Sequence, residues 1–421
     1  MYLPANPTRN ARPLRVALFS GNYNYTLDGA NKSLNRLVGH LQTKLGAEVR
    51  VYSPTTAHPA FPPVGKLVSV PSVAIPLRPD YRFALGLPAR IRRDIEAFEP
   101  DLIHLSAPDL LGAAALKLGR SLNLPVVASV HTLFDAYLEY YALGRLKPFF
   151  QRRLQAFYRA CDYVLAPTQV MADELRPQVV PARVRVWGRG VDEALFKPDR
   201  RNLEWRRSQG FDDARPVIVF LGRIVMEKGL AVFAEAIARL EAATGPAQVL
   251  VIGEGPAGAW LRERLPRAVF TGHLSAEALA TAVASGDILL NPSCTETFGN
   301  VNLEAMASGL AMVCADAPNT RSLITPGHSG ILCAAADPAA FAQALQTLFA
   351  EPGLCGRLAS GALAQSAAYR WPEILDQVVA VYAEALNPKR ASQIVTPVVG
   401  PRLADDVDFA ARARISDAEA A

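Results

Sequence analysis

Arg223 and Lys228 stand five residues apart in the turn GRIVMEKG, directly after the apolar run VIVFL. A planar guanidinium fork and a compact ammonium, placed between a strand and a helix, can converge on one anion. A diphosphate suits that combination; the bland alternative is a solvated basic turn. A second constellation, ETFGNVNLE, follows the run DILLNP and sets Glu296 and Glu304 eight residues apart. Phe298, Gly299 and Asn300 fall where a helix should begin, so their backbone N–H groups offer an anion site. One carboxylate could accept hydroxyls of a sugar and the other those of a ribose. Glu304 could also be no more than a first-turn residue favoured by the helix dipole.

A third motif, GEGPAG at Gly253–Gly258, is a literal G-x-G-x-x-G between a strand and a helix. It is a weak dinucleotide signal, because the next strand ends FTGH, with no acidic residue for a ribose, and because the motif falls in the second βα unit of its domain. Earlier in the chain, Asp28-Gly29-Ala30-Asn31 opens a helix after the first strand, and Gly29 would let a phosphate or an acceptor approach the backbone closely. His131 ends the run VVASV, at the carboxyl edge of a strand where ligands of open sheets bind, although a lone histidine is usually structural. There is no P-loop, no H-E-x-x-H and no G-x-S-x-G. The single D-x-D, Asp406-Val407-Asp408, lies in a C-terminal stretch without apolar pattern, so no metal is expected.

The elements that must position these residues repeat along 421 positions, enough for two or three domains. Apolar runs at Leu14–Ser20, Glu48–Pro54, Leu102–Ser106, Pro125–His131, Tyr163–Pro167 and Val184–Gly190 read as strands. Helical patterns separate them at Ala30–Leu45, Arg82–Phe98, Leu110–Leu122 and Thr168–Leu175. The pattern restarts at Pro216–Leu221 and runs to Gly330–Cys333. Continuous apolar strands are covered on both faces, as in a parallel sheet wound with helices. The expected architecture is α/β, with two Rossmann-like doubly wound domains, 12–190 and 203–370, facing one cleft. The polar stretch Gly188–Asn202 links them, a terminal helix at 371–387 packs back on the first domain, and 390–421 has the composition of a disordered tail.

Composition narrows the classes further. Hydrophobic residues are 50% and charged residues 20%, which suits a globular chain with a large core. The net charge of +5 favours anionic substrates or an anionic membrane surface but is too small to argue for nucleic acid. Five scattered cysteines without a C-x-x-C pair read as reduced thiols in the cytoplasm. MYLPANPTRNARPLR has no apolar core of a signal peptide, and no run reaches the ~18 apolar residues of a membrane span. Any membrane contact is expected at the surface. The segment Gly144–Cys161 mixes five basic residues with Phe149, Phe150, Phe157 and Tyr158, as an interfacial helix would, yet the same spacing suits a helix packed on its sheet.

GRIVMEKG, GEGP and ETFGNVNLE, in this order, resemble the donor domain of the retaining family 4 glycosyltransferases, whose fold is GT-B. The similarity extends through DGAN, SVHT and the Trp371 helix, over roughly residues 14–387. It implies that Arg223 and Lys228 hold the donor diphosphate, with Gly29 beside the phosphates. Glu296 would contact the transferred sugar, Glu304 the ribose, and His131 would lie at the reacting sugar. The nucleotide sugar, GDP- or UDP-linked, would be a substrate; no cofactor is implied. DGAN, HTLFDAYLEYY and VWGRGVD most resemble the mannosyl- and sulfoquinovosyl-transferases that build glycolipids, which implies a lipid acceptor. An oligosaccharide or polysaccharide acceptor, a GT-B-shaped epimerase or phosphorylase, and a non-catalytic sugar-nucleotide binder are the alternatives. AMVCADAPNTRSLI departs from the family's usual Pro-Val-Val followed by Gly-Gly, with Ala311 and Asn319-Thr320 in that region, so the resemblance does not fix the donor's sugar.

Overall fold

The structure, a computed structural model, describes residues 12–387 apart from 27–28, 76–77, 132–146, 181–182 and 297. Asp28, Thr297, the stretch following His131, the Asp406–Asp408 pair and the 390–421 tail lie outside the described residues. In chain order the first half contributes β1 (Arg15–Phe19), β2 (Glu48–Ser53), β3 (Lys66–Ser69), β4 (Ser72–Ile75), β5 (Arg78–Ala84), β6 (Leu102–Leu105), β7 (Val126–Ser129), β8 (Tyr163–Ala166) and β9 (Val184–Val186). The second half contributes β10 (Val217–Leu221), β11 (Gln248–Ile252), β12 (Val269–Gly272), β13 (Ile288–Asn291), β14 (Ala311–Ala315) and β15 (Ile331–Cys333).

Two parallel sheets result, ordered β3-β2-β1-β6-β7-β8-β9 and β12-β11-β10-β13-β14-β15. Val16–Phe19 and Val217–Phe220 are buried on both faces, which explains why these strands read as continuous apolar runs. In each sheet the order reverses beside the first strand, between β1 and β6 and between β10 and β13. Loops that leave the carboxyl ends there diverge to opposite faces and open a crevice.

The helical pattern expected over Arg82–Phe98 is not one helix. Arg82–Ala84 belong to β5, which pairs antiparallel with β4. Arg82 donates from Nε to the Ser72 hydroxyl at 2.8 Å, holding that register. Gly86 at φ 93° and the N-capping Pro88 then delay the helix until Ala89–Phe98. Proline cannot extend a helix backwards, because it lacks an N–H and restricts the residue before it.

The stretch between the sheets is packed rather than a loose connector. Val191 donates its N–H to the Tyr369 carbonyl at 2.8 Å, pairing the outgoing crossing with the returning one. A Cβ at Gly190 would come within 2.8 Å of the Trp371 Cα, so this crossing requires glycine. Helix Trp371–Leu386 shares a core with helix Gly29–Leu45, where Val378, Val381 and Tyr382 join Leu34, Leu37 and Leu41. Asp376 adds polar ties to His40 (2.8 Å) and Lys44 (2.5 Å), and Arg185 pairs with Glu384 at 3.0 Å.

The basic helix Lys147–Arg159 turns most of its described aromatics inward. Phe157 and Tyr158 are core residues and Leu154 packs with them, so this face lies on the sheet rather than against lipid. Phe149 alone of the described aromatics points out, 59% exposed, with the Arg153 guanidinium 6.0 Å from its ring centre.

Candidate active site

The first two glycines of GEGPAG have a packing reason. Gly222 and Gly253 take φ 138° and 133°, values that L side chains rarely adopt. A Cβ on Gly253 would collide with the Gly222 carbonyl, and one on Gly255 would collide with the backbone of Ile224. The two loops are zipped by Gly222 N–H to the Ile252 carbonyl (3.0 Å) and Ile224 N–H to the Glu254 carbonyl (2.8 Å). Beside them lies a cavity of about 330 Å³ lined by Ile224, Glu254, Gly255 and Arg262, with the Arg262 guanidinium 4.7 Å from the Phe270 ring centre.

Because β10 and β13 are neighbours, the basic turn after one and the acidic loop after the other are joined at the point of reversal. Gly229, at φ 74°, caps helix Leu230–Thr244 and fits under the Pro292 carbonyl, where a Cβ would sit at 2.8 Å. The Thr295 hydroxyl donates to the Glu227 carbonyl at 3.2 Å. Lys228 and Glu296 form an ion pair. The diphosphate and sugar roles that the resemblance assigns separately to these two residues therefore fall on one coupled pair. Arg223 is exposed and has no ion pair among the described residues.

The acidic loop turns into helix Asn300–Ala307 through Gly299 at φ 93°. The Phe298 ring is buried against Tyr369, 6.1 Å between centres, so this residue can offer a ligand only its main chain. Below the turn, Asn291 donates from Nδ2 to the Asn302 Oδ1 at 2.7 Å and ties the helix to the end of β13. Burial pushes the Glu304 carboxyl up to about 7, with Lys32 from the opposite domain pulling the other way.

Across the cleft, helix Gly29–Leu45 begins at Gly29, against the side-chain amide of Asn300. His131 follows β7, with both ring nitrogens engaged. Arg189 donates to its Nδ1 at 2.9 Å, and Nε2 lies 2.8 Å from the Ser129 hydroxyl. A guanidinium can only donate, so Nδ1 is the acceptor and Nε2 carries the proton. The same hydroxyl meets Nε2 of His104 at 2.8 Å, and Nδ1 of His104 meets the Tyr382 hydroxyl at 2.7 Å. Burial and the Arg189 charge hold the His131 pKa well below its ordinary value. It is a neutral, fixed ring, edge-on to Trp187 at 5.3 Å.

The fold thus gathers Gly29, Arg223, Lys228, Glu296, Gly299, Asn300 and Glu304 at the facing carboxyl ends of two sheets, with His131 held on the first. Sequence reasoning missed Arg189, Ser129 and His104, which hold His131. Arg189 lies in VWGRGVD, but a lone arginine in a polar stretch carries no signal of being 4% exposed. Among the described residues no cluster of three or more His, Cys, Asp or Glu could hold a metal ion.

Comparison with known proteins agrees with this arrangement. Residues 27–195 match Glycosyltransferase Family 4, and residues 215–351 match Glycosyl transferases group 1. A GDP-mannose-dependent alpha-mannosyltransferase of Mycolicibacterium smegmatis is 33% identical over 380 residues, 89% of this chain and 98% of that protein. A sulfoquinovosyl transferase of Arabidopsis thaliana is 30% identical over 77% of this chain and 64% of its own. An alpha-monoglucosyldiacylglycerol synthase of Streptococcus pneumoniae is 27% identical over 76% and 75%. Among solved structures, sucrose-phosphate synthase from Thermosynechococcus elongatus superposes with a TM-score of 0.72 at 20% identity, covering 88% of this chain and 98% of that one. With two doubly wound domains in the GT-B arrangement and these matches along both, the chain belongs to glycosyltransferase family 4 and is a glycosyltransferase.

Proposed function

We propose that the protein moves a hexosyl group, with retention of configuration, from a GDP- or UDP-linked sugar to a hydroxyl of a membrane lipid. One observation carries the reading. The start of helix Asn300–Ala307 meets Gly29, where a second helix begins, and the Lys228–Glu296 pair ties the turn that carries Arg223 to the loop before that helix. Two helix N-termini and two cations suit a diphosphate, whose charge grows as the bond between the sugar C1 and the phosphate oxygen breaks. The acceptor oxygen forms the new bond to C1 on the same face, and its proton passes to the departing phosphate oxygen. This charge is received by protein groups, so turnover is expected to persist in excess chelator. Glu304 meets the ribose, and the cavity beside Gly253–Gly255 takes the base.

The lipid acceptor rests on the relatives that the chain resembles, one of them named for a diacylglycerol product. No helix of the described residues is long and apolar enough to cross a membrane. In this reading the protein meets its acceptor at the cytoplasmic surface. Exposed Phe149 beside Arg152 and Arg153 offers a small contact of mixed apolar and basic character. Vesicles of anionic and neutral lipid, at low and high salt, test the surface, and radiolabelled transfer from GDP-mannose or UDP-glucose into extracted lipid tests the acceptor. Salt-sensitive binding to anionic vesicles with label in the lipid fraction is expected. Label appearing only in a soluble oligosaccharide, without vesicle binding, would replace the lipid with a glycan acceptor.

A further inference from the structure

We infer that Asn319 reads the transferred sugar, its amide taking one hydroxyl as donor and a neighbouring one as acceptor. This rests on the transferase reading above and names a residue that the reading did not use. Asn319 is 2% exposed, and neither its Oδ1 nor its Nδ2 has a hydrogen-bond partner. Burying an unpaired amide is costly, so a fold retains one mainly where something else completes it. The residue lines a pocket of about 130 Å³ in the cleft between the domains, together with Glu296 and Cys294 from its own domain and Thr168, Met171 and Glu174 from the other.

Size and charge select the occupant. One water needs only about 10–15 Å³ of such space, so the pocket is too large for a single bridging solvent molecule. Two carboxylates, Glu174 and Glu296, line it, and no cation is among its lining residues. A phosphate would be repelled there. A neutral polyhydroxyl group is not, because carboxylates accept from hydroxyls and an amide both donates and accepts. Adjacent hydroxyls on a pyranose supply that pairing, and the sugar contact that the resemblance implies for Glu296 agrees with it. Asn319 lies outside the shared motifs, so a choice of sugar made through it is one that they do not encode.

Asn319→Leu keeps much of the volume without polar atoms, and Asn319→Ala removes the group. Donor kinetics with GDP-mannose and UDP-glucose, inhibition by free GDP and UDP, and thermal unfolding are measured for wild type and both variants. Both variants should lose about tenfold to a hundredfold in kcat/KM for the sugar nucleotide. Affinity for the free diphosphate should stay within twofold, and the unfolding temperature of Asn319→Leu should stay level or rise, because an unpaired buried amide has been removed. Wild-type kcat/KM in either variant, equal losses of diphosphate and sugar-nucleotide affinity, or failure of both variants to fold would overturn the assignment while leaving transfer by the wild type intact. Absence of transfer by the wild type from either donor would overturn both this assignment and the function on which it rests.

Discussion

Gly29 of the first domain lies directly against the side-chain amide of Asn300 in the second, so the first residues of two helices from opposite domains touch. Gly29 has no Cβ, and any Cβ would strike that amide. The two helix dipoles therefore point at one place, where anionic charge is favoured from both sides.

Gly29→Ala should push the Asn300 amide away and weaken donor binding about tenfold or more, with little change in unfolding temperature, because alanine suits a helix better than glycine. The double variant Gly29→Ala/Asn300→Ala should recover part of the loss if the clash is the cause. Donor titration of the three proteins checks this. A double variant no better than the single one would place the damage elsewhere.

Arg223 and Lys228 should behave differently although both are cations of one turn. Arg223→Ala removes an exposed group and should lower turnover by about a hundredfold without affecting stability. Lys228→Ala should lower turnover comparably and also reduce the unfolding temperature, since it strands the half-buried Glu296 carboxylate. The Lys228→Ala/Glu296→Gln double variant should regain stability but not activity. Parallel melting curves and turnover measurements separate the two effects.

Glu304 should make nucleotide affinity depend on pH. Its carboxyl is raised to about 7 by burial, so it loses its proton as pH rises through neutrality. The charged form accepts ribose hydroxyls more strongly than the neutral acid. Affinity for free GDP or UDP should therefore increase from pH 6 to pH 8, and Glu304→Gln should flatten that dependence. An unchanged slope in the variant would remove Glu304 from the ribose.

His104 should make the first domain sensitive to acid. Burial lowers its pKa to about 3, against about 6.5 in an unfolded chain. Between those values the unfolded state binds a proton that the native state does not, so stability falls as pH drops from 6.5 toward 3. The slope for one such site is roughly 1.4 kcal/mol per pH unit. His104→Gln should remove this contribution. It should also loosen His131 through Ser129, lowering kcat more than it raises the KM for the donor. Denaturant titrations at several pH values and steady-state kinetics check the two halves separately.

Much of this was legible in the chain because it is written locally. Parallel strands buried on both faces must be continuous apolar runs, so β1, β10 and β13 are visible in the sequence. The segments that carry Arg223, Glu296 and Gly29 follow β10, β13 and β1, where polarity changes sharply. The family resemblance lives in those same turns, because the residues that meet a shared ligand are confined to few positions. The helix expected over Arg82–Phe98 starts later for the opposite reason: an amphipathic pattern runs on past Gly86 and Pro88, and only the pairing of β5 with β4 decides where the helix begins. Tertiary structure alone brought Lys228 onto Glu296, Gly29 onto Asn300, and His104, Ser129 and Arg189 around His131. These partners come from different strands, helices or domains, and a single chain records a residue's type but not what it will face. The unpaired amide of Asn319 is the sharpest case. In the sequence it is one unusual residue in a loop, and it becomes a demand for a ligand only when folding removes it from water and leaves both its polar atoms without a partner.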